Sequence, residues 1–300
     1  GGVWKTVNAG TTWEPVFDKE GSYSIGCVTM DPGNSNTIWV GTGENNNQRS
    51  VAYGDGIYRS DDGGKTWRNR GLKNSEHIGK IIVHPENPDI VYVGALGHVY
   101  GPNPDRGVYR SRDGGNTWQK ILFRNDSTGV VDLVMDPGNP SVLYAGLWQA
   151  HRRPWQLVSG GAGSGMFKTT DGGERWHEVF RNINEQAFFD AIGCWGPRSC
   201  IAMSDPVEGR FVLRQLNFHA AGGSNHGGLA ARMPGAISGE AAFAASGTCL
   251  ITLGRTQAFM VSGGNDARVF RSDDRGLTWS VADTPLPKGT PGSGIFSIAM

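Results

Sequence analysis

Three hundred residues and 32.2 kDa make one large domain or two small ones, and 28 basic against 28 acidic side chains leave no net field to draw the chain to nucleic acid or an anionic membrane. Forty-six glycines are about twice the usual share, and with only 19% charged residues they describe a chain that turns often. No apolar run reaches the ~18 residues that would span a bilayer, and neither a secretory leader nor an initiator methionine opens the sequence, so it reads as a fragment or processed product.

In chain order, GVWKT at 2–6 is a first strand, and TVNAGTTW at 6–13 is the first of five copies of one pattern. The others are SDDGGKTW at 60–67, SRDGGNTW at 111–118, TTDGGERW at 169–176 and SDDRGLTW at 272–279. The shared form is Ser/Thr-x-Asp/Asn-x-Gly-x-Thr-Trp, with Arg175 the one departure at the Thr position. Trp13, Trp67, Trp118, Trp176 and Trp279 are spaced 54, 51, 58 and 103 residues, and 103 is close to twice the others. One repeat has therefore lost its box, near 213–228: FVLR at 211–214 supplies the strand, while QLNFHAAGG at 215–223 stands in for the motif and the glycines of 222–228 read as a loose replacement.

Ahead of the boxes, DPGN at 31–34, HPENP at 84–88 and DPGNP at 136–140 recur after 53 and 52 residues, each between two β-branched runs. Proline presets φ for such turns, and His84 takes the turn position that Asp holds in the sister repeats. Each unit then reads as strand, turn, strand, longer loop, strand, Asp-containing turn, strand. Four antiparallel strands per ~50 residues is the unit of a β-propeller blade. The expectation is an all-β chain, one β-propeller over 1–300, with blades near 22–72, 76–122, 129–180, 187–230 and 238–283. Residues 294–300 and 1–17 would share a closing sixth blade, a truncated seven-bladed parent being the alternative.

Within each box, Asn8, Asp62, Asp113, Asp171 or Asp274 can accept from nearby backbone N–H groups, glycine supplies φ > 0, and the tryptophan buries a ring between blades. One or two carboxylates per loop fall short of the roughly six to eight oxygens calcium takes, so the boxes read as fold elements rather than sites.

At these residues the chain resembles the Asp-box, or BNR-repeat, propellers, a group that includes sialidases, xyloglucan-cleaving glycoside hydrolases and the sortilin-type receptor domain. GVWK at 2–5, YGDGIY at 53–58, ALGHVYGPN at 95–103 and PW at 154–155 make residues 1–180 similar to sortilin-like bacterial repeat proteins often labelled glycosyl hydrolase. FFDAI at 188–192, SDPVEGRF at 204–211, AFAASGTC at 242–249 and ARVFRS at 267–272 make residues 187–300 similar to propellers related to the photosystem II stability and assembly factor. The resemblance implies the propeller fold and an extracytoplasmic location, and supplies no activity that transfers residue by residue.

Candidate chemistry is sparse. The arginine triad and Tyr/Glu pair of a sialidase are not identifiable. A carboxylate-pair glycosidase would draw on Asp132, Asp190 and Glu240, placed near the starts of innermost strands; their separation, roughly 6.5–9.5 Å for inverting and 5–5.5 Å for retaining enzymes, is not legible in sequence. The bland reading, channel-lining polar groups, is preferred. No metal or cofactor is expected: the histidines are dispersed, and GGAGSG at 160–165 opens no helix that could hold a pyrophosphate and reads as a flexible loop.

Three consecutive connections between second and third strands are long: 43–53, 97–106 and 148–155. They fall at the sheet ends opposite the boxes, and their Arg49, Tyr53, His98, Tyr100, Arg106, Trp148, His151, Arg152, Arg153 and Trp155 suit a recognition surface, since aromatic and arginine side chains dominate binding hot spots. Cys194 and Cys200 flank a short turn and could pair in an oxidising compartment or remain buried thiols. The expected function is binding of a protein, peptide or glycan by a monomer or part of a larger chain, with glycoside hydrolysis the alternative.

Overall fold

The computed structural model describes residues 2–44, 51–181, 189–196, 199–218, 224–229, 233–242, 249–290, 292–295 and 297–298. The chain divides into two compact units, Gly1–Arg181 and Asn182–Met300, at the point where the sequence changes character. Among the described residues there is no α-helix, only a 3-10 turn at Lys73–Ser75.

The first unit opens with a two-stranded hairpin, β1 (Trp4–Lys5) and β2 (Glu14–Pro15). Three antiparallel sheets follow. The first is β3 (Ile25–Asp31), β4 (Asn34–Thr42), β5 (Ile57–Ser60) and β6 (Arg68–Asn69); the second is β7 (Ile78–Val83), β8 (Val91–Ala95), β9 (Gly107–Ser111) and β10 (Gln119–Leu122). The third runs β11 (Thr128–Asp136), β12 (Asn139–Arg153), β14 (Gly165–Thr169) and β15 (His177–Arg181), with β13 (Gln156–Ser159) pairing the far half of β12. The second unit holds β16 (Phe189–Gly196), β17 (Ser199–Val207), β18 (Arg210–Phe218) and β19 (Ser224–Leu229) in one sheet. Its short β20 (Glu240–Ala241) pairs with β23 (Gly263–Gly264), and a further sheet runs β21 (Leu250–Leu253), β22 (Gln257–Val261), β24 (Arg268–Ser272) and β25 (Ser280–Asp283). Glu240 thus lies on a side ladder, and Leu250 rather than Glu240 opens the innermost strand of the last sheet.

The β7–β10 sheet is apolar on both faces because it packs between two neighbours. In the first unit, Trp39 and Ile57 of one sheet bury Ile81, Val93 and Tyr109 of the next, whose other face packs through Tyr92 and Val108 onto Leu133, Ala145 and Phe167. In the second unit, Met203, Phe211, Met260, Phe270 and Trp279 form one cluster, with Phe211 edge-on to Phe270 at 5.5 Å.

The boxes close the outer hairpins. In the box at 60–67, Asp62 Oδ1 accepts from Ser60 Oγ at 2.8 Å and from the N–H groups of Lys65 and Thr66 at 3.0 and 2.9 Å, while Oδ2 accepts from Thr66 Oγ1 at 2.7 Å. Asp113 and Asp274 accept from the matching Ser and Thr hydroxyls, and in each of the three boxes the Ser oxygen accepts from a glycine N–H. Arg175 in place of Thr leaves Asp171 with one hydroxyl donor, Thr169 Oγ1 at 2.8 Å, in place of two. Asn8 reverses one bond, its Nδ2 donating to Thr12 Oγ1. At Gly115, φ is +84° and a Cβ would lie 2.6 Å from the Trp39 ring, so geometry and space both demand glycine.

Two box tryptophans tie their sheet to the strands before it: Trp67 Nε1 donates to Val16 O at 2.6 Å and Trp118 Nε1 to Arg70 O at 2.7 Å, whereas Trp176 Nε1 has no partner and Trp279 Nε1 stays on Gly276 O of its own box. Trp13 departs from the expected burial, being 54% exposed with its indole N–H on its own Gly10 O. Where the sixth box is missing, β18 runs nine residues to Phe218 and pairs with β19 from Ser224; residues 219–223 lie outside the described residues. Residues 224–228, expected as a loose substitute, belong to β19. The glycines of 160–165 are not loose either: Gly163 N–H donates to Gln149 Oε1 at 2.8 Å and a Cβ there would meet Thr128 Oγ1 at 2.0 Å. His84 does the expected turn duty, its Nδ1 accepting from Glu86 N–H as Asp31 and Asp136 accept from Gly33 and Gly138. Cys194 and Cys200, opposite each other on β16 and β17, form a disulfide.

Two outcomes follow. The Thr117 hydroxyl, then the Thr117 N–H and Ser111, hold the Asp113 carboxyl down to about 2 from an ordinary 3.8. A carboxyl depressed on folding stabilises fully above its unfolded pKa and loses that contribution as pH falls through the folded value. Asp113→Ala should therefore lower the melting temperature by a constant amount above pH 5, and calorimetry should show the gap to wild type closing between about pH 4 and 2. Alkylation after reduction should label Cys194 and Cys200, which denaturation alone leaves protected.

Candidate recognition face

Described residues of the three long connections meet, Val51, Val99 and Trp148 packing in one cluster, but one of the connections is not a loop. Residues 148–155 continue β12 into a hairpin with β13, in register Ala150↔Ser159 through Arg153↔Gln156, with Pro154 and Trp155 at its two-residue tip. Proline's fixed φ suits the first corner of such a turn. Trp148 lies half-buried on this ribbon, its Nε1 donating to Ser159 Oγ at 3.1 Å, and packs with Val131 against buried Val51, Leu96 and Val99.

Arg106 organises the face. It is fully buried, and its guanidinium donates to backbone carbonyls of three segments: His98 at 2.9 Å and Gly101 at 3.4 Å, Ser127 at 3.1 Å, and Ala150 at 3.2 Å. Gly97, at φ +74°, lets the chain pass the Arg106 stem, where a Cβ would come within 2.4 Å. Asn103 adds bonds from its Nδ2 to the His98 and Gly101 carbonyls and from its N–H to Asp126 O; Arg152 N–H donates to Val99 O at 2.7 Å. Burial lowers the Arg106 pKa to about 10, still charged at neutral pH, with Asp126 opposing the shift. The sequence reading counted Arg106 as a contact residue; it is instead the tie beneath the surface, because the fork of a guanidinium can serve several carbonyls at once.

What the tie displays is exposed aromatic area, Tyr100 at 49% and Trp155 at 79%, with Arg153 beside Trp155 in the tip; Tyr53, 72% exposed, lies on the neighbouring 43–53 connection, which the guanidinium does not reach. His98, His151 and Arg152 are partly exposed, and Arg49 lies outside the described residues. Beneath them sits His77, which the sequence gave no reason to single out. It is fully buried, neither ring nitrogen has a hydrogen-bond partner, and burial pushes its pKa from 6.5 down to about 4.

Of the three candidate carboxylates, Asp132 belongs to the first unit and Asp190 and Glu240 to the second. Asp132 is exposed on β11, its Oδ1 3.4 Å from Lys80 Nζ and accepting from Leu133 N–H. The Asp190 side chain lies outside the described residues. Glu240 is buried, with Oε1 accepting from Ser262 Oγ and Arg268 Nε at 2.5 and 2.9 Å and Oε2 from Arg268 Nη2 and Ile237 N–H at 2.5 and 2.8 Å, a closed ion pair with no lone pair facing solvent. Sequence reading missed another carboxylate grouping: Asp55 Oδ2 accepts from Tyr58 Oη at 2.6 Å, and burial, then the Asp55 charge, raises the Glu20 pKa. Among the described residues no three His, Cys, Asp or Glu side chains are placed to hold a metal, and no helix is long and apolar enough to cross a membrane.

Arg106→Met should cost about 2–4 kcal/mol, the penalty of leaving several buried carbonyls short of a donor, and limited proteolysis should then cut first within 97–106. Arg106→Lys should not restore resistance, since a single ammonium cannot reach all three segments.

The family model for Sortilin-Vps10 (sortilin, neurotensin receptor 3) matches residues 55–198. Xyloglucanase Xgh74A of Acetivibrio thermocellus is 24% identical over 213 residues, covering 60% of this chain and 23% of its own length. A xyloglucanase of Hypocrea jecorina is 25% identical over 314 residues, covering 93% of this chain and 36% of its own. The chain thus spans about a quarter to a third of the length of these curated relatives. Among solved structures, the GH74 xyloglucanase from Xanthomonas campestris superposes with a TM-score of 0.55 at 16% identity, covering 94% of this chain and 43% of that one. YCF48 bound to D1 peptide gives 0.48 at 15% identity, covering 93% and 74%. The antiparallel four-stranded sheets and the likeness to the GH74 structures establish an all-β propeller with Asp-box repeats.

Proposed function

We propose that the chain is a non-catalytic binding propeller that recognises a protein, peptide or glycan through Tyr53, Tyr100, Arg153 and Trp155. The observation that carries this reading is the buried Arg106 tie. Aromatic side chains on free loops lose conformational entropy on binding, whereas loops cross-braced from below present them already ordered. His98, His151 and Arg152 would supply polar contacts at the rim. A disulfide between Cys194 and Cys200 supports an extracytoplasmic setting, where such bonds persist.

Glycoside hydrolysis is the second reading, supported by relatives named xyloglucanases. It would rest on Asp132 and Asp190, with Glu240 committed to Arg268.

The two separate experimentally. Screening against a polysaccharide array and a displayed peptide library should return a ligand whose affinity falls about tenfold or more, some 1.4 kcal/mol, in Trp155→Ala and Tyr100→Ala at unchanged melting temperature. No ligand, or ligands indifferent to both substitutions, would overturn the binding reading. Release of reducing ends from xyloglucan, abolished in Asp132→Asn, would establish the hydrolase instead.

A further inference from the structure

In four of the five boxes the fourth residue makes the same two bonds. Its N–H donates to a carbonyl near the start of its own sheet's second strand: Gly63 to Asn36 at 2.9 Å, Gly114 to Asp89 at 3.0 Å, Gly172 to Ser141 at 2.9 Å and Arg275 to Thr256 at 2.8 Å. Its carbonyl accepts from a side chain of the strands before: Lys5 Nζ on Gly63 at 2.8 Å, Arg59 Nη1 on Gly114 at 3.0 Å, Arg110 Nη1 on Gly172 at 2.7 Å and Gln215 Nε2 on Arg275 at 2.9 Å. Gln215 therefore holds the place of Arg59. It pairs across to Ile201 as Arg59 does to Trp39, and a Cβ at Gly276 would meet Ile201 as one at Gly115 would meet Trp39.

The fourth of these contacts, within the second unit, inverts the chemistry. In the first unit a cation reaches a glycine, Gly63, Gly114 or Gly172, at φ +72°, +67° and +69°; in the second a neutral amide reaches Arg275, which takes the same left-handed backbone at φ +59°. That conformation crowds a Cβ, and Ala9 of the first box, at φ +55°, is the other box residue to bear it. The guanidinium placed there is also unanswered. Arg59 pairs with Asp61 at 2.7 Å and Arg110 with Glu174 of the next box at 2.9 Å, whereas Leu277 stands at the box position of Glu174, and among the described residues Arg275 has no ion pair.

A glutamine fills less space than an arginine, and beside Gln215 lies a cleft of about 210 Å³ lined by Trp195, Ser199, Gln215, Asp274, Arg275 and Leu277, all of the second unit. Trp195 is fixed by its Nε1, which donates to Gln257 O at 2.6 Å, and Arg275 by its Nε, which donates to Arg255 O at 2.8 Å. Asp274 is turned into the box, where Oδ1 accepts from Ser272 Oγ and the N–H groups of Leu277 and Thr278, and Oδ2 from Thr278 Oγ1. We propose that this cleft binds a carboxylate joined to a compact apolar group. The carboxylate answers Arg275 as Glu174 answers Arg110; with Nε held, the two terminal nitrogens present a fork that matches its two oxygens. Ser199 and Gln215 bring a hydroxyl and an amide to its margin, and the apolar group lies against Trp195 and Leu277.

Calorimetric titration of the full chain with 3-phenylpropionate and with the corresponding amide tests this. The acid should bind about tenfold or more tightly than the amide. Arg275→Gly restores the residue of the sister boxes and relieves the backbone, so it should reduce the acid to the affinity of the amide without lowering the melting temperature. Leu277→Glu, which builds in the carboxylate that Glu174 supplies elsewhere, should do the same with Arg275 intact. The tripeptide Gly-Gly-Phe, with a free or an amidated C-terminus, separates the sources: binding of the free form alone shows that the cleft accepts a chain end, and its failure where 3-phenylpropionate binds shows that it accepts small free acids. An acid no tighter than its amide, no binding of either acid, or undiminished binding in Arg275→Gly would overturn the proposal.

Discussion

A four-stranded sheet that is apolar on both faces has no stable existence by itself: each face must be taken out of water by another sheet. Everything in the first unit follows from that constraint. A repeat of about fifty residues buries too little surface against itself, so stability resides in the contacts between sheets, where Trp39 and Ile57 meet Ile81 and Val93. The boxes serve the same end. Their hydrogen bonds fix the hairpin that aims Trp67 and Trp118 at the backbone of the sheet before, converting a local turn into an inter-sheet tie.

The face opposite the boxes is held by a different device. A buried guanidinium without a carboxylate partner is costly to desolvate, and at Arg106 Nη1 and Nη2 offset that cost by donating to carbonyls from three segments, Nε being left without a partner. One residue thus does for three connections what a ladder of backbone bonds does within a sheet. The exposed Tyr100 and Trp155 stand on that braced layer, and His77, held neutral by burial, adds acid sensitivity to it. His77 favours the fold fully above the ordinary histidine pKa of 6.5 and loses that contribution as pH falls toward about 4.

Much of the fold was legible because the repeat writes it several times over. Ser/Thr at the head of each box, Asp two residues on and Thr four beyond that are spaced for one set of short-range bonds, so the hairpins could be placed from residues alone. The candidate site was legible only in outline. The sequence located the long connections and their aromatics, but it took residues 148–155 for a loop, since Pro154 interrupts the run and nothing local shows that the strand extends to it. It counted Arg106 with the surface and Glu240 with the catalytic candidates for a related reason: charged side chains are usually exposed, and their exceptions are set by partners such as Ala150 or Arg268, distant in the chain.

The sequence by itself determined the all-β repeat, the strand order within each sheet and the box turns, because these rest on interactions among residues a few positions apart. Tertiary structure alone decided which charges went inside and which tryptophan of five remained in water. Those outcomes depend on what packs opposite a residue, and partners such as Ala150 for Arg106 or Arg268 for Glu240 lie far away in the chain.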